Sequence, residues 1–396
     1  MNNSMQLEEQ YGAHNYHPLP VVLVKGEGPY VWDDQGKKYL DMMSAYSAVS
    51  HGHCNPRLVQ ALTDQANQLT IVSRAYYTDK LGAFLKKACD MTEQDMALPM
   101  NTGAEAVETA IKAARKWAYT VKGVADEQAE IIVANGNFHG RTTTIVGFSS
   151  EKAYQKGFGP FTPGFKLVDY GDVDALEAAI TPNTAAFLVE PIQGEGGIVI
   201  PPAGYLKKCK ALCEKHNVLL ICDEIQTGLG RTGKLLACQH DDVTPDGLIL
   251  GKALGGGMLA VSMFLSRKDV MDVFTYGSHG STFGGNPLSS VVALEALNII
   301  EEEKLAERSH ELGEYFMAEL RKINNSAIKE IRGKGLFVGI EFHPNQLDAR
   351  DVCLQLMDKG ILSKETHATV VRLAPPLVIT KEQLDDALEI IKEVLV

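Results

Sequence analysis

Several things are missing from this 396-residue chain. No uninterrupted apolar run approaches the ~20 residues that a membrane span needs. The start, MNNSMQLEEQYGAHNYHPLP, has neither the basic opening nor the apolar core of a secretory signal. Positive charge is in deficit: 38 Lys plus Arg stand against 50 Asp plus Glu, a net charge of −12. That balance argues against a nucleic-acid or anionic-membrane surface. Seven cysteines, odd in number and without the spacing of a small disulfide scaffold, imply reduced thiols and a cytoplasmic protein. There is no low-complexity segment, fixed-period repeat or long run of like charge.

The length allows two domains with substantial cores. Short apolar runs read as buried strands: EIIVANG (130–136), TAAFLVEP (184–191), VLLICDE (218–224), GLILGKA (247–253) and AVSMFLS (260–266). Amphipathic stretches such as AGYLKKCKALCEKHN separate several of them. Strand, helix, strand at this cadence predicts an α/β fold, a mainly parallel sheet with helices on both faces. The ends differ. YVWDDQGKKYLDM puts a D-Q-G turn between two alternating segments, a hairpin signal. GLFVGIEF and VVRLAPPLVI read as strands, and TKEQLDDALEIIKEVLV as a closing helix. Residues 49–288 are therefore expected to form a large domain, and 1–48 with 289–396 a smaller one.

The stretch DEIQTGLGRTGK (223–234) contains two familiar glycine spacings. A dinucleotide fingerprint needs a helix starting within the glycine turn, and LLACQHDDVTPDG is not helical in pattern. A phosphate-binding P-loop needs Ser or Thr after its lysine, and Leu235 follows Lys234. A glycine-rich active-site loop leaving a strand is the better reading. Asp223 stands at the carboxyl end of that strand, where open α/β sheets place their ligands. Lys252 stands at the end of another strand, just before three glycines. A lysine there is commonly a snorkelling surface residue, but beside the aspartate it suggests pyridoxal phosphate. The amine would take the cofactor's aldehyde carbon, and the carboxylate would keep its pyridine nitrogen protonated.

A phosphate cradle is also present. In MNTGAEAVETAIKAARKWAYTV, Thr102 and Glu105 form a capping box that opens a helix with one apolar stripe. Gly103 and Ala104, in its first turn, leave the free N–H groups open to an anion. Taken alone this is a well-capped core helix. Other signals are weaker. HGHC (51–54) has no partnering cluster at metal-ligand spacing and reads as a loop into a helix capped by Asn55 with Pro56 at its first position. Cys209 and Cys213 read as reduced thiols on one helix.

These residues, with GHCNP, FHGRT, VEPIQGEGG, GKALGGG and STFGGNP in the same order, make the chain similar to the class-III pyridoxal-phosphate-dependent aminotransferases along essentially its whole length. Its likeness within them is to the ornithine-using members. The resemblance implies the fold-type-I architecture of such transferases, with Lys252 and Asp223 in the roles above. It puts Gln226 near the cofactor's phenolic oxygen, Phe138 on its ring, and Gly103 and Ala104 at its phosphate. Thr282 would reach the phosphate of a neighbouring subunit, which implies a homodimer. Arg141 would bind an α-carboxylate and Arg372 the carboxylate at the other end of a dicarboxylate. Glu195 would pair with Arg372 while ornithine is bound, and Tyr16 and Tyr46 would line the ornithine end. Glu190 shares the strand-end context without an assigned role. N-acetylornithine, 4-aminobutyrate and other ω-amino acids are alternative substrates for such a site.

Overall fold

The computed structural model describes residues 3–396. Its centre is a seven-stranded sheet, in the order Met96–Met100, Ser262–Ser266, Gly247–Leu250, Leu219–Asp223, Thr184–Val189, Glu130–Ala134, Phe165–Val168. The last five are mutually parallel, whereas Ser262–Ser266 runs antiparallel to both of its neighbours. All five apolar runs named above contain strands of this sheet. Met96–Met100 and Phe165–Val168 were not anticipated.

The strands are apolar throughout because both faces are covered. Successive side chains point to opposite faces, so Leu220 and Cys222 enter one core while Leu219 and Ile221 enter another. The second core lies under the helix Gly103–Trp117, whose Val107, Ala110, Ile111, Ala114 and Trp117 are buried. Pro287–Glu302 and Tyr205–Lys215 cover the opposite face, the latter burying Cys209 and Cys213 as free thiols.

Two small sheets carry the chain ends. The expected hairpin pairs Tyr30–Asp33 with Lys38–Asp41, and Ile361–Leu362 from far along the chain adds in parallel beside the latter. The other sheet is antiparallel, in the order Ile328–Lys334, Phe337–Phe342, Val370–Leu373, Lys364–Thr366. VVRLAPPLVI is therefore strand only over its first four residues: Pro375 and Pro376 have no N–H to continue a ladder. The closing helix is Lys381–Leu395, with a capping box between Thr380 and Gln383.

Phe264 is fully buried on the antiparallel strand, against the face of Gly247, where a Cβ would come within 2.9 Å of its ring. Phe264→Ala is expected to destabilise the protein by about 3–5 kcal/mol, read as a lower urea midpoint at unchanged slope.

Candidate active site

The parallel strands end along one edge of the sheet, and the chemistry collects there. Asp223 is the last residue of its strand, and its Oδ1 accepts from the Ile225 N–H at 3.0 Å, turning the chain into the glycine-rich loop. The neighbouring strand pairs Ile249 with Asp223, which brings Lys252 to the same edge. Lys252 opens a short 3-10 turn with φ 45°, a left-handed conformation costing a non-glycine residue roughly 1–2 kcal/mol. Facing both is the start of the Gly103–Trp117 helix. Thr102 Oγ1 accepts from Glu105 N at 3.3 Å, and Glu105 Oε2 accepts from Thr102 N at 2.7 Å. One cavity is lined by Gly103, Ala104, Phe138, Asp223, Gln226 and Lys252, and also by His139 and Glu190.

Charge decides how this edge is organised. Asp223 is buried, and a buried carboxylate needs a partner. His139 provides it: Nδ1 donates to Asp223 Oδ2 at 2.7 Å. Burial opposes protonation of the ring, but the hydrogen bond to Asp223 and the charges of Asp223 and Glu190 outweigh it, so its pKa lies above the ordinary value. Glu190 is buried at the end of Thr184–Val189 and accepts from Phe138 N at 2.9 Å. Burial pushes its pKa up to about 7, with Asp223 adding and His139, the Phe138 N–H and Lys252 restraining it. Burial lowers the pKa of the Lys252 amine against the pull of Glu195 and Asp223, with Arg372 lowering it further.

A second centre lies beside Lys252. Arg372, on the strand Val370–Leu373, is 3% exposed and its Nη1 donates to Glu195 Oε1 at 2.6 Å. The guanidinium lies 5.2 Å from the centre of the Tyr46 ring. Tyr46 belongs to a left-handed turn, Ser44–Ser47, with φ values of 42°, 46°, 59° and 74° and no glycine. At roughly 1–2 kcal/mol per residue, such a turn persists only where surrounding contacts dictate it. Asp41 Oδ1 accepts from Met43 N at 2.9 Å and Ser44 N at 2.8 Å, while Gln226 Nε2 reaches the Tyr46 carbonyl at 3.5 Å.

The remaining residues lie further out. Arg141 is exposed over the rings of Tyr154 and Phe138, at 4.1 and 5.4 Å. Tyr16 is 77% exposed in the irregular segment before the first strand, within electrostatic range of Tyr46. Thr282 is exposed and outside the cavity lining. HGHC holds no joint site: His51 pairs with the Ala296 carbonyl and His53 with Asp41. Asn55 caps Pro56–Ala66, accepting from Arg57 N at 3.0 Å. His139 was missed, although FHGRT was in view; a buried histidine one residue from Phe138 was its only signal.

The residues present fit pyridoxal phosphate. The cavity offers a desolvated amine, a carboxylate hydrogen-bonded to His139, and the helix start at Gly103 and Ala104 in the same lining, against which Gly140 packs so closely that a Cβ there would fall 3.0 Å from that of Ala104. His139 Nε2 is buried without a hydrogen-bond partner in the same lining. Fold and donor set together are those of a fold-type-I, pyridoxal-phosphate-dependent transferase. The class-III aminotransferase family matches residues 11–395, and the chain belongs to that family. An ornithine aminotransferase of Exiguobacterium is 60% identical over 391 residues, 99% of this chain and 97% of that protein. One of Bacillus subtilis is 59% identical over 385 residues, 97% and 95% of the two chains. A crystal structure of Toxoplasma gondii ornithine aminotransferase, with pyridoxal phosphate at partial occupancy, superposes with a TM-score of 0.98 at 49% identity, covering 99% of this chain and 93% of that one. An acetylornithine aminotransferase from Elizabethkingia anophelis superposes with a TM-score of 0.90 at 50% identity, covering 99% and 98%.

Because the folded pKa of Glu190 lies above the ordinary carboxyl value of 4.5, its contribution to stability is intact below that value and lost as pH rises towards about 7. Glu190→Gln keeps an acceptor for Phe138 N without the charge. In chemical denaturation of cofactor-free protein, the variant should gain on the parent between about pH 5 and about pH 8; parallel profiles would exclude a raised carboxyl.

Proposed function

We propose that this aminotransferase moves the δ-amino group of L-ornithine to 2-oxoglutarate, giving glutamate 5-semialdehyde, which cyclises to pyrroline-5-carboxylate, and glutamate. The two half-reactions alternate on one site. The observation that carries this reading is the Glu195–Arg372 pair beside Lys252. Ornithine reacts at a carbon with no neighbouring carboxylate, whereas 2-oxoglutarate reacts next to one. A receptor serving both must neutralise its own arginine in one half-reaction and free it in the other, and an internal glutamate meets that demand.

Bound pyridoxal phosphate supplies the electron sink that stabilises negative charge on the reacting carbon. Asp223, backed by His139, would hold the proton on its ring nitrogen; Phe138 would pack on the ring, Gln226 would serve its phenolic oxygen, and the N–H groups at Gly103 and Ala104 would hold its phosphate. The Lys252 amine, its pKa lowered by burial, takes the proton from the substrate's δ-carbon and returns it as general acid. Arg141 and Tyr16 grip the α-amino-acid end, so that the δ-amine and not the α-amine reaches the reacting centre; Tyr46 lines the path between. In this reading residues 49–288, with the remainder of the helix Pro287–Glu302 that covers the central sheet, carry the cofactor, and the two chain ends form the smaller domain over it.

A homodimer is part of the proposal. Thr282 and Phe283 are exposed, and a broad groove lined by Tyr76, Tyr77 and Tyr276 lies open beside them, apolar surface of the kind a second copy covers. Among the described residues no helix is long and apolar enough to cross a membrane; with seven free thiols, the cytoplasm is the proposed compartment.

A donor panel of ornithine, N-acetylornithine and 4-aminobutyrate with 2-oxoglutarate, assayed for the glutamate that all three would form and for pyrroline-5-carboxylate from ornithine, tests the substrate. Preference for either of the other donors overturns it. Glu195→Gln should slow the ornithine half-reaction by about tenfold or more while sparing the glutamate half-reaction. Equal losses in single-turnover kinetics would refute this switching role of Glu195.

A further inference from the structure

Arg231, in the glycine-rich loop that follows Asp223, has no part in the reaction described above. It is 0% exposed, yet its guanidinium meets no carboxylate. Nη1 donates to the carbonyls of Pro375 at 2.6 Å and Leu336 at 2.9 Å; Nη2 donates to the hydroxyls of Ser50 at 3.1 Å and Ser44 at 3.3 Å. Both oxygens of Asp41, the acid whose charge it feels, are engaged by other groups. A buried cation met only by neutral oxygens, with its Nε left without a hydrogen-bond partner, is a costly way to fill space. Its geometry is more informative than its charge.

The four acceptors bracket one contact. Ser44 opens the left-handed turn that carries Tyr46 and Ser50 follows it, and each hydroxyl passes the link on: Ser50 Oγ donates to the Ser47 carbonyl at 3.0 Å, Ser44 Oγ to the Ala374 carbonyl at 2.6 Å. Pro375 lies three residues after Arg372, and Leu336 leads into the strand whose Gly339 pairs with Arg372. One planar fork thus ties the backbone on the Tyr46 side to the backbone on the Arg372 side. The same loop touches the turn again through Gln226 and the Tyr46 carbonyl.

We infer that Arg231 is a positioning residue for substrate selectivity: it holds the strained Ser44–Ser47 turn against the segment after Arg372 and so sets how Tyr46 and Arg372 receive a dicarboxylate. This deepens the proposed function and rests on Arg372 as the second-carboxylate receptor. Lysine would keep the charge but cannot hold two pairs of oxygens in one plane.

The holoenzyme tests it. Arg231→Lys should raise the KM for 2-oxoglutarate about tenfold while kcat changes less than about threefold, the KM for ornithine, whose path Tyr46 also lines, rises by a smaller factor, and the cofactor's visible spectrum is unchanged. Adding Ala45→Gly, which suits the φ of 46° at that position, should recover most of the lost affinity, because the turn then needs less external restraint. A variant with wild-type KM values, or with both KM values and kcat damaged together and no recovery from Ala45→Gly, overturns the role. If Arg231→Lys does not fold, Ser44→Ala/Ser50→Ala, which keeps the guanidinium and deletes its links, must show the same selective rise; wild-type KM values there overturn the role equally. Arg372→Lys separates the two levels. If it leaves the 2-oxoglutarate KM unmoved, the receptor reading fails; if it moves that KM while the Arg231 and serine variants do not, only the role of Arg231 fails.

Discussion

A carboxylate at the dry end of a buried strand is tolerable only if something positive meets it, and the site is built outward from that requirement at Asp223. Its partner, His139, comes from the loop after a strand two positions away in the sheet, and the pair at 2.7 Å joins segments 84 residues apart. Glu190 accepts from the Phe138 N–H and feels the charges of His139 and Lys252, but burial outweighs them and its carboxyl rises to about 7. Lys252 faces Glu195, Asp223 and Glu190. Desolvation prevails over them and lowers the amine's pKa, the condition under which a lysine becomes useful as nucleophile and base. The electrostatics of one end of the sheet thus form a single coupled system, in which no member keeps its behaviour without the others.

How much of this can be read from the letters depends on how far each contact reaches. Asp223 and Lys252 were legible because apolar runs end at them, and strand ends are where such folds work. Thr102 and Glu105 were legible because a capping box is closed within four residues. The direction of Ser262–Ser266 was not, since an apolar run has the same composition whichever way it points. Met96–Met100 contains Pro99, and Phe165–Val168 is only four residues with an exposed Leu167, so neither has a strand's usual pattern. His139 depends on a partner 84 residues on, and the turn at Ser44–Ser47 contains no glycine to announce its positive φ. Local rules read local physics.

The glycine-rich loop illustrates the same limit from the other side. Its spacing suggested two nucleotide motifs, and its actual use of glycine is different. Gly233 has φ 93°, and a Cβ there would come within 3.1 Å of the His310 backbone, so the residue lets the loop lie against the helix Leu305–Leu320. Ser309 from that helix donates to the Arg231 carbonyl at 2.8 Å. The glycines allow close approach of protein to protein, which in turn seats the buried guanidinium.

The Glu195–Arg372 pair must open for the proposed exchange of substrates, and the surrounding contacts indicate how. Glu195 is flanked by Gly194, Gly196 and Gly197, which suggests a mobile loop. Yet the Glu195 carbonyl accepts from Thr366 Oγ1 at 2.6 Å, and the Gly197 carbonyl accepts from Arg332 Nη2 at 2.7 Å. Gly194 is glycine for space: a Cβ there would fall 1.7 Å from Gln226 Oε1. The backbone is pinned at the glutamate's own carbonyl and just after it, and packed against Gln226 just before it. Releasing Arg372 is then a rotation of one side chain about its own torsions, with the loop left in place. Such a motion has little to reorganise, and it leaves the Tyr46 turn and the arginine in register for whichever carboxylate arrives.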